Sequence, residues 1–181
     1  METIESWQKR YSNIYVIPEV VWTKMHKWAE HEVMKYEGHY PEYGHNKVKQ
    51  TVIGVAGEYG TKQLYAYGDI QANQTLKGFE ADLLLPKSKR QEEVKTWQSG
   101  YSFDKYFGTV TPKHAKQYHD KQRDRVWFCE VNYETRTVTV HGWLTPAEIL
   151  ECQIIETDGR YGGENHLCEV MHRVEDVMGW I

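Results

Sequence analysis

The sequence predicts an α/β fold with a mixed central sheet flanked by helices, and three observations carry that expectation. Apolar residues recur at intervals of three and four after Pro18; two strand-like runs flank the polar stretch Lys87-Ser88-Lys89-Arg90; and residues 125–133 are a nearly continuous apolar run. The first pattern is that of an amphipathic helix, the second that of a hairpin, the third that of a strand covered on both faces.

Taken in order, the first helix carries Val20, Val21, Met25, Trp28, Ala29, Glu32, Val33 and Tyr36 on its repeat and ends at Gly38 and Pro41. Residues 51–67 read as a second helix, or a helix plus strand, in which Gly54, Gly57 and Gly60 weaken the isolated helix but permit close packing. Residues 78–86 and 91–97 are the hairpin strands. Residues 112–124 have helical composition with a proline in the first turn, and residues 135–143 alternate as a half-exposed strand does. A short helix over 146–152 and an amphipathic closing helix over 166–180, with Leu167, Val170, Met171, Val174, Val177 and Met178 on one side, complete the chain. The organisation expected is one compact unit: an N-terminal helical extension (1–50), a core (51–145) and a C-terminal helical extension (146–181).

The 181 residues suit a single domain. A mean hydropathy of −0.74 is low, yet aromatics at 13% supply what a disordered chain lacks. No apolar run approaches the roughly 20 residues that span a bilayer, and the first residues do not resemble a secretory signal. Three cysteines, Cys129, Cys152 and Cys168, without a CxxC pair suit a reducing, cytoplasmic setting. Charge is uneven. Residues 86–125 hold 10 basic against 5 acidic side chains, while the remainder holds 12 against 21. One basic segment in an acidic chain is the pattern expected where a polyanion meets a single face.

Chemistry concentrates on the hairpin. With a two-residue turn at Lys87-Ser88, Asp82 lies opposite Glu93, and Lys95 shares their face because strand side chains alternate. Two carboxylates about 5 Å apart repel, and a divalent cation with a preference for hard oxygen ligands, magnesium or manganese, removes the repulsion. The plain alternative is a cross-strand salt pair on an exposed face, worth under about 1 kcal/mol.

Asp82 followed by Glu93-Val94-Lys95 resembles the signature of the PD-(D/E)xK nuclease superfamily, and the order of elements around it is similar. The resemblance covers residues 51–143, with Ala81 standing where many members have proline. It implies a restriction-endonuclease-like fold and a magnesium-dependent DNA endonuclease, in which manganese substitutes for magnesium. Asp82, Glu93 and the carbonyl of Val94 would bind metal, Lys95 would orient or deprotonate the attacking water, and Glu58 would hold metal or a metal-bound water. Asp69 and Glu80 are lesser rivals for the acidic positions. Analogy with the superfamily also suggests a homodimer.

Around this site the basic residues fall in two groups, Lys87, Lys89 and Arg90 at the hairpin tip and Lys113, Lys116, Lys121 and Arg123 on the following helix, where phosphates would pass. Cys152, His166, Cys168 and His172 form a rival zinc set whose spacing matches no usual knuckle. Neither a phosphate loop nor a dinucleotide fingerprint occurs. The alternative function is a non-catalytic DNA-binding or interaction protein that retains the nuclease fold.

Overall fold

A computed structural model describes residues 13–35, 44–64, 71–72, 81–85, 89–99, 108–157, 163–168 and 172. In chain order these form β1 (Asn13–Val16), α1 (Glu19–Met34), α2 (Gly44–Leu64), β2 (Gln71–Ala72), β3 (Leu83–Leu85), β4 (Arg90–Gln98), β5 (Gly108–Val110), α3 (Pro112–Asp120), β6 (Arg125–Asn132), β7 (Thr137–Leu144), α4 (Pro146–Glu151), β8 (Ile154–Thr157) and β9 (Gly163–Cys168). The fold is α/β with a mixed sheet. Six strands lie in the order β1-β7-β6-β4-β3-β2, and β5, β9 and β8 make a second sheet of three. The first sheet is mixed because β4 and β6 run parallel, joined by a crossover through α3, while its other pairs are antiparallel.

Each face of the larger sheet has its own helical cover. Ile53 and Ala56 of α2 pack with Leu83, Trp127, Cys129, Val131 and Val138 on one side. Ala115 and Tyr118 of α3 and Ile149 of α4 pack with Val126, Phe128 and Leu144 on the other. Residues 125–129 of β6 are accordingly all buried, as the unbroken apolar run predicts. Local chemistry sets the helix starts. Thr111 caps α3 by accepting from the His114 amide at 3.2 Å, with Pro112 in the first turn. Thr145 and Glu148 form a reciprocal capping box on α4.

The glycines of α2 let it approach the sheet. A Cβ at Gly60 would stand 2.4 Å from Cγ1 and 2.9 Å from Cβ of Val138, and one at Gly57 would stand 2.0 Å from Thr96 Oγ1. Alanine gains about 1 kcal/mol of helix propensity over glycine, but overpacking a tight core costs about 1–3 kcal/mol. Val138 is wholly buried and branched at Cβ, so it cannot swing aside. Gly60→Ala is expected to lower stability by a net of up to about 2 kcal/mol, measured as a fall in the urea midpoint at constant slope.

Several expectations differ from the structure. The closing helix over 166–180 is not formed where it is described: residues 163–168 are a strand, paired with β5 (Thr109 opposite Leu167) and with β8 (Ile155 opposite Asn165). Asn165, His166, Leu167 and Cys168 are consecutively buried, which suits a central strand covered on both faces and not a one-sided helix. Residues 169–171 and 173–181 lie outside the described residues. The third helix also stops at Asp120, short of residue 124, where Gln122 takes a left-handed φ of 53°. The anticipated boundary at residue 50 falls inside α2, and β1 at the N-terminus contributes an edge strand to the sheet.

Candidate active site

The hairpin register decides what the site contains. Leu83 lies opposite Glu92, Leu84 opposite Gln91 and Leu85 opposite Arg90. Continuing that register by one residue sets Asp82 against Glu93, the pairing expected for a two-residue connection. Leu83 and Leu85 point into the α2 side of the sheet, so Asp82 faces the α3 side together with Glu93 and Lys95. Asp82 Oδ2 accepts a hydrogen bond from the Val94 amide at 2.8 Å, which ties the start of β3 to the middle of β4.

Burial and mutual charge dominate the electrostatics. Removal from water raises the Asp82 carboxyl; the Val94 amide, Glu93, Lys95 and Arg123 act against that rise. Glu93, 8% exposed, is pushed up to about 7 by burial and then by the Asp82 charge, with Arg123 opposing. Glu58 reaches the cluster from α2. Burial, then the charges of Asp82 and Glu93, hold its carboxyl well above the usual carboxylate range. Burial also depresses the Lys95 ammonium, against the pull of Asp82 and Glu93. The structure thus brings Glu58, Asp82, Glu93 and Lys95 within electrostatic reach of one another.

Residues from α3 and its exit loop close the site. Lys95 Nζ stands 5.5 Å from the centre of the Tyr118 ring. His114 stacks on Tyr118 with centroids 6.1 Å apart, and the Lys95 charge contributes to lowering its imidazole below the ordinary value, after burial. Arg123 donates from Nε to Glu93 Oε1 at 2.5 Å. None of these three carries a spacing signal in the sequence. Arg123 in particular is a correction: in place of an outward phosphate contact on the helix, it lies beyond the helix end, 6% exposed, turned onto Glu93. Lys121 likewise follows the helix and is half-buried, whereas Lys113 and Lys116 are exposed on α3, Lys116 bonded to Asp120. Lys89 is exposed and Arg90 half-buried; Lys87, Asp69 and Glu80 lie outside the described residues.

Carboxylates are hard oxygen donors, suited in chemistry to a hard divalent cation. Among the described residues, no group of three or more His, Cys, Asp or Glu side chains is placed to hold a metal ion. The zinc set does not assemble either. His166 Nδ1 lies 3.1 Å from the Cys152 carbonyl oxygen and His172 Nε2 2.6 Å from Glu148 Oε1, while the Cys152 and Cys168 thiols, not joined as a disulfide, share a hydrogen bond. Cys129 is wholly buried, its thiol pushed up to about 12 by desolvation, as befits a core residue.

The raised acids make stability pH-dependent. Between the ordinary value of 4.5 and about 7, folded Glu93 keeps a proton that the unfolded chain releases. Raising pH through that interval therefore favours unfolding. Glu58 and Asp82 are displaced in the same direction. Without divalent cations, stability is expected to fall on the order of 3 kcal/mol from pH 4.5 to 7.5. Glu93→Gln should flatten the decline, as followed by thermal melts; an unchanged slope would show that Glu93 does not titrate there.

The class that fold and site define is an α/β protein whose mixed sheet carries a buried carboxylate–lysine cluster at a hairpin. No family model, curated protein or solved structure matches the chain. Among the described residues no helix is long and apolar enough to cross a membrane.

Proposed function

We propose that this protein is a metal-dependent phosphodiesterase, a DNA endonuclease with a restriction-endonuclease-like core of the PD-(D/E)xK kind. The observation that carries the reading is the convergence of Asp82, Glu93 and Lys95 on one sheet face, with Glu58 approaching from α2. Burial raises all three acids and Asp82 and Glu93 share a hydrogen bond, so a divalent cation that displaced their protons would relieve the repulsion left when they ionise. Asp82, Glu93, the carbonyl of Val94 and Glu58 would hold magnesium, or manganese in its place. When bound, such an ion polarises a phosphate and lowers the pKa of its water.

The chain's own groups supply the rest. Lys95, depressed by burial, would hold the attacking water by a hydrogen bond and take up or return its proton. The exposed Lys89, beside the hairpin connection, and Lys113 and Lys116, on α3, would guide the DNA backbone. Two such sites in a homodimer would cut both strands.

The buried Arg123–Glu93 pair favours a second reading. A guanidinium already neutralises one acid, as expected of a non-catalytic DNA-binding protein that keeps the fold. Incubation of supercoiled plasmid with magnesium, manganese or chelator, using wild type beside Lys95→Ala, separates the two. Nicking or linearisation that needs metal and disappears in the variant supports the nuclease; DNA retention without cutting, equal with and without chelator, supports the binder.

A further inference from the structure

Cys152 and Cys168 take no part in the acid cluster, yet the fold sets them face to face. Strands β8 and β9 pair with Ile154 opposite His166 and Ile155 opposite Asn165. Carried two residues back toward α4, that register puts Cys152 opposite Cys168, and the pairing does continue there: the Leu167 amide donates to the Gln153 carbonyl at 2.8 Å. Gln153 and Leu167 are thereby a hydrogen-bonded pair. Their neighbours Cys152 and Cys168 then occupy a non-hydrogen-bonded position, where opposed Cα atoms lie about 4.5 Å apart and side chains approach most closely. A disulfide spans Cα separations of roughly 4.4–6.8 Å. The Cys152 backbone suits such a link, since it caps α4 in an extended conformation, φ −63° and ψ 144°, with its carbonyl oxygen 3.1 Å from His166 Nδ1.

The two thiols are already in contact. Cys152 Sγ donates to the Glu148 carbonyl at 3.3 Å, so in the hydrogen bond between the thiols Cys168 is the donor and the Cys152 sulfur the acceptor. Their exposure differs. Cys168 is wholly buried in a cluster with Val126, Phe128 and Ile149, whereas Cys152 packs at the rim of that cluster and is half-buried. The bond with Cys152, and then burial, hold the Cys168 thiol far above the ordinary thiol value. A small oxidant therefore meets Cys152, and Cys168 reacts only with its neighbour. Cys129 is out of the way on the α2 side of the sheet, its sulfur 3.2 Å from Thr61 Oγ1.

We propose that Cys152 and Cys168 are a reversible dithiol–disulfide site whose oxidant is a small-molecule disulfide of the glutathione class. Cys152 loses its proton and its sulfur attacks one sulfur of the oxidant; the oxidant's S–S bond breaks, a mixed disulfide forms and one small thiolate leaves. Cys168 then loses its proton, and its sulfur displaces the second small thiolate from Cys152. The two protons and two electrons given up by the protein thiols leave in two molecules of small thiol. One new bond joins the end of α4 to β9. Ile149 of α4 and Cys168 share a cluster with Tyr118, so the link ties together two elements that seat Tyr118 beside Lys95. The site stands independently of the nuclease reading.

The test is equilibration of full-length protein in mixtures of reduced and oxidised glutathione, trapping by alkylation, and peptide mass mapping without reductant. Wild type is expected to yield peptides joined through Cys152 and Cys168, with Cys129 alkylated, at every protein concentration, and dithiothreitol should reverse the link. The effective concentration of the pair, read from the glutathione ratio at half-oxidation, should be about 10–100-fold higher in native buffer than in urea, because the fold favours the bond as much as the bond favours the fold. Cys152→Ser is expected to lose the link and Cys129→Ala to keep it. A link through Cys129, a lasting glutathione adduct on Cys152 with Cys168 alkylated, no oxidation at all, or an effective concentration no higher in native buffer than in urea overturns the proposal. The wild-type map assigns the sulfurs by itself, so a variant that fails to fold does not alter the outcome.

Discussion

Replacement of Lys95 by Ala is expected, on the proposed nuclease function, to lower metal-dependent DNA cleavage about 10²–10⁴-fold, the usual range for losing a positioned proton-transfer group, while the protein still folds. The two outcomes separate because the ammonium has opposing roles in stability. Burial works against its charge, and Asp82 and Glu93 favour it, so its removal gives up an attraction and relieves a desolvation cost. The Tyr118 ring contact adds on the order of 1–2 kcal/mol. A melting temperature within several degrees of wild type, together with lost cutting, marks a chemical role. Cutting that persists in a folded Lys95→Ala protein would place the chemistry elsewhere on the chain.

The parts of this site legible in the sequence are those that depend on backbone periodicity alone. A strand alternates with period two, and a short hairpin connection sets its own register, so Asp82, Glu93 and Lys95 share a face as soon as the turn is located. The apolar run of β6 and the starts of α3 at Pro112 and α4 at Pro146 are legible for similarly local reasons. Arg123 was illegible because its inward turn depends on Gln122 leaving the helical region and on Gln91, 32 residues away, receiving its Nη1. By composition it belonged to the basic segment; by tertiary placement it belongs to Glu93. The strand β9 was missed because Leu167 fits a spacing of three and four with Val170 and Met171, and nothing local reveals that β5 and β8 cover both its edges. Strands of three or four residues such as β1, β5 and β8 are too short to display a period at all.

Glu92 was illegible too, and the largest expected effect on stability lies there. One residue from Glu93, it points to the opposite face of the sheet and is wholly buried. Its Oε1 accepts from Arg125 Nη1 at 3.1 Å and its Oε2 from Trp127 Nε1 at 2.7 Å; the Arg125 guanidinium also lies 4.6 Å from the centre of the Trp143 ring. Adjacent glutamates thus have different surroundings, one among acids and one held by a cation and an indole N–H. Glu92→Ala removes an acceptor from both donors inside the core. Breaking one side of a buried ion pair costs about 3–5 kcal/mol, most of it the penalty on the charge left behind. The double substitution Glu92→Leu with Arg125→Met removes both charges at similar volume and is expected to recover more than half of that loss. Denaturant midpoints of the two single variants and the double variant test this. A double variant as unstable as the sum of its parts would mean that the pair is not coupled, and that Glu92 matters through packing alone.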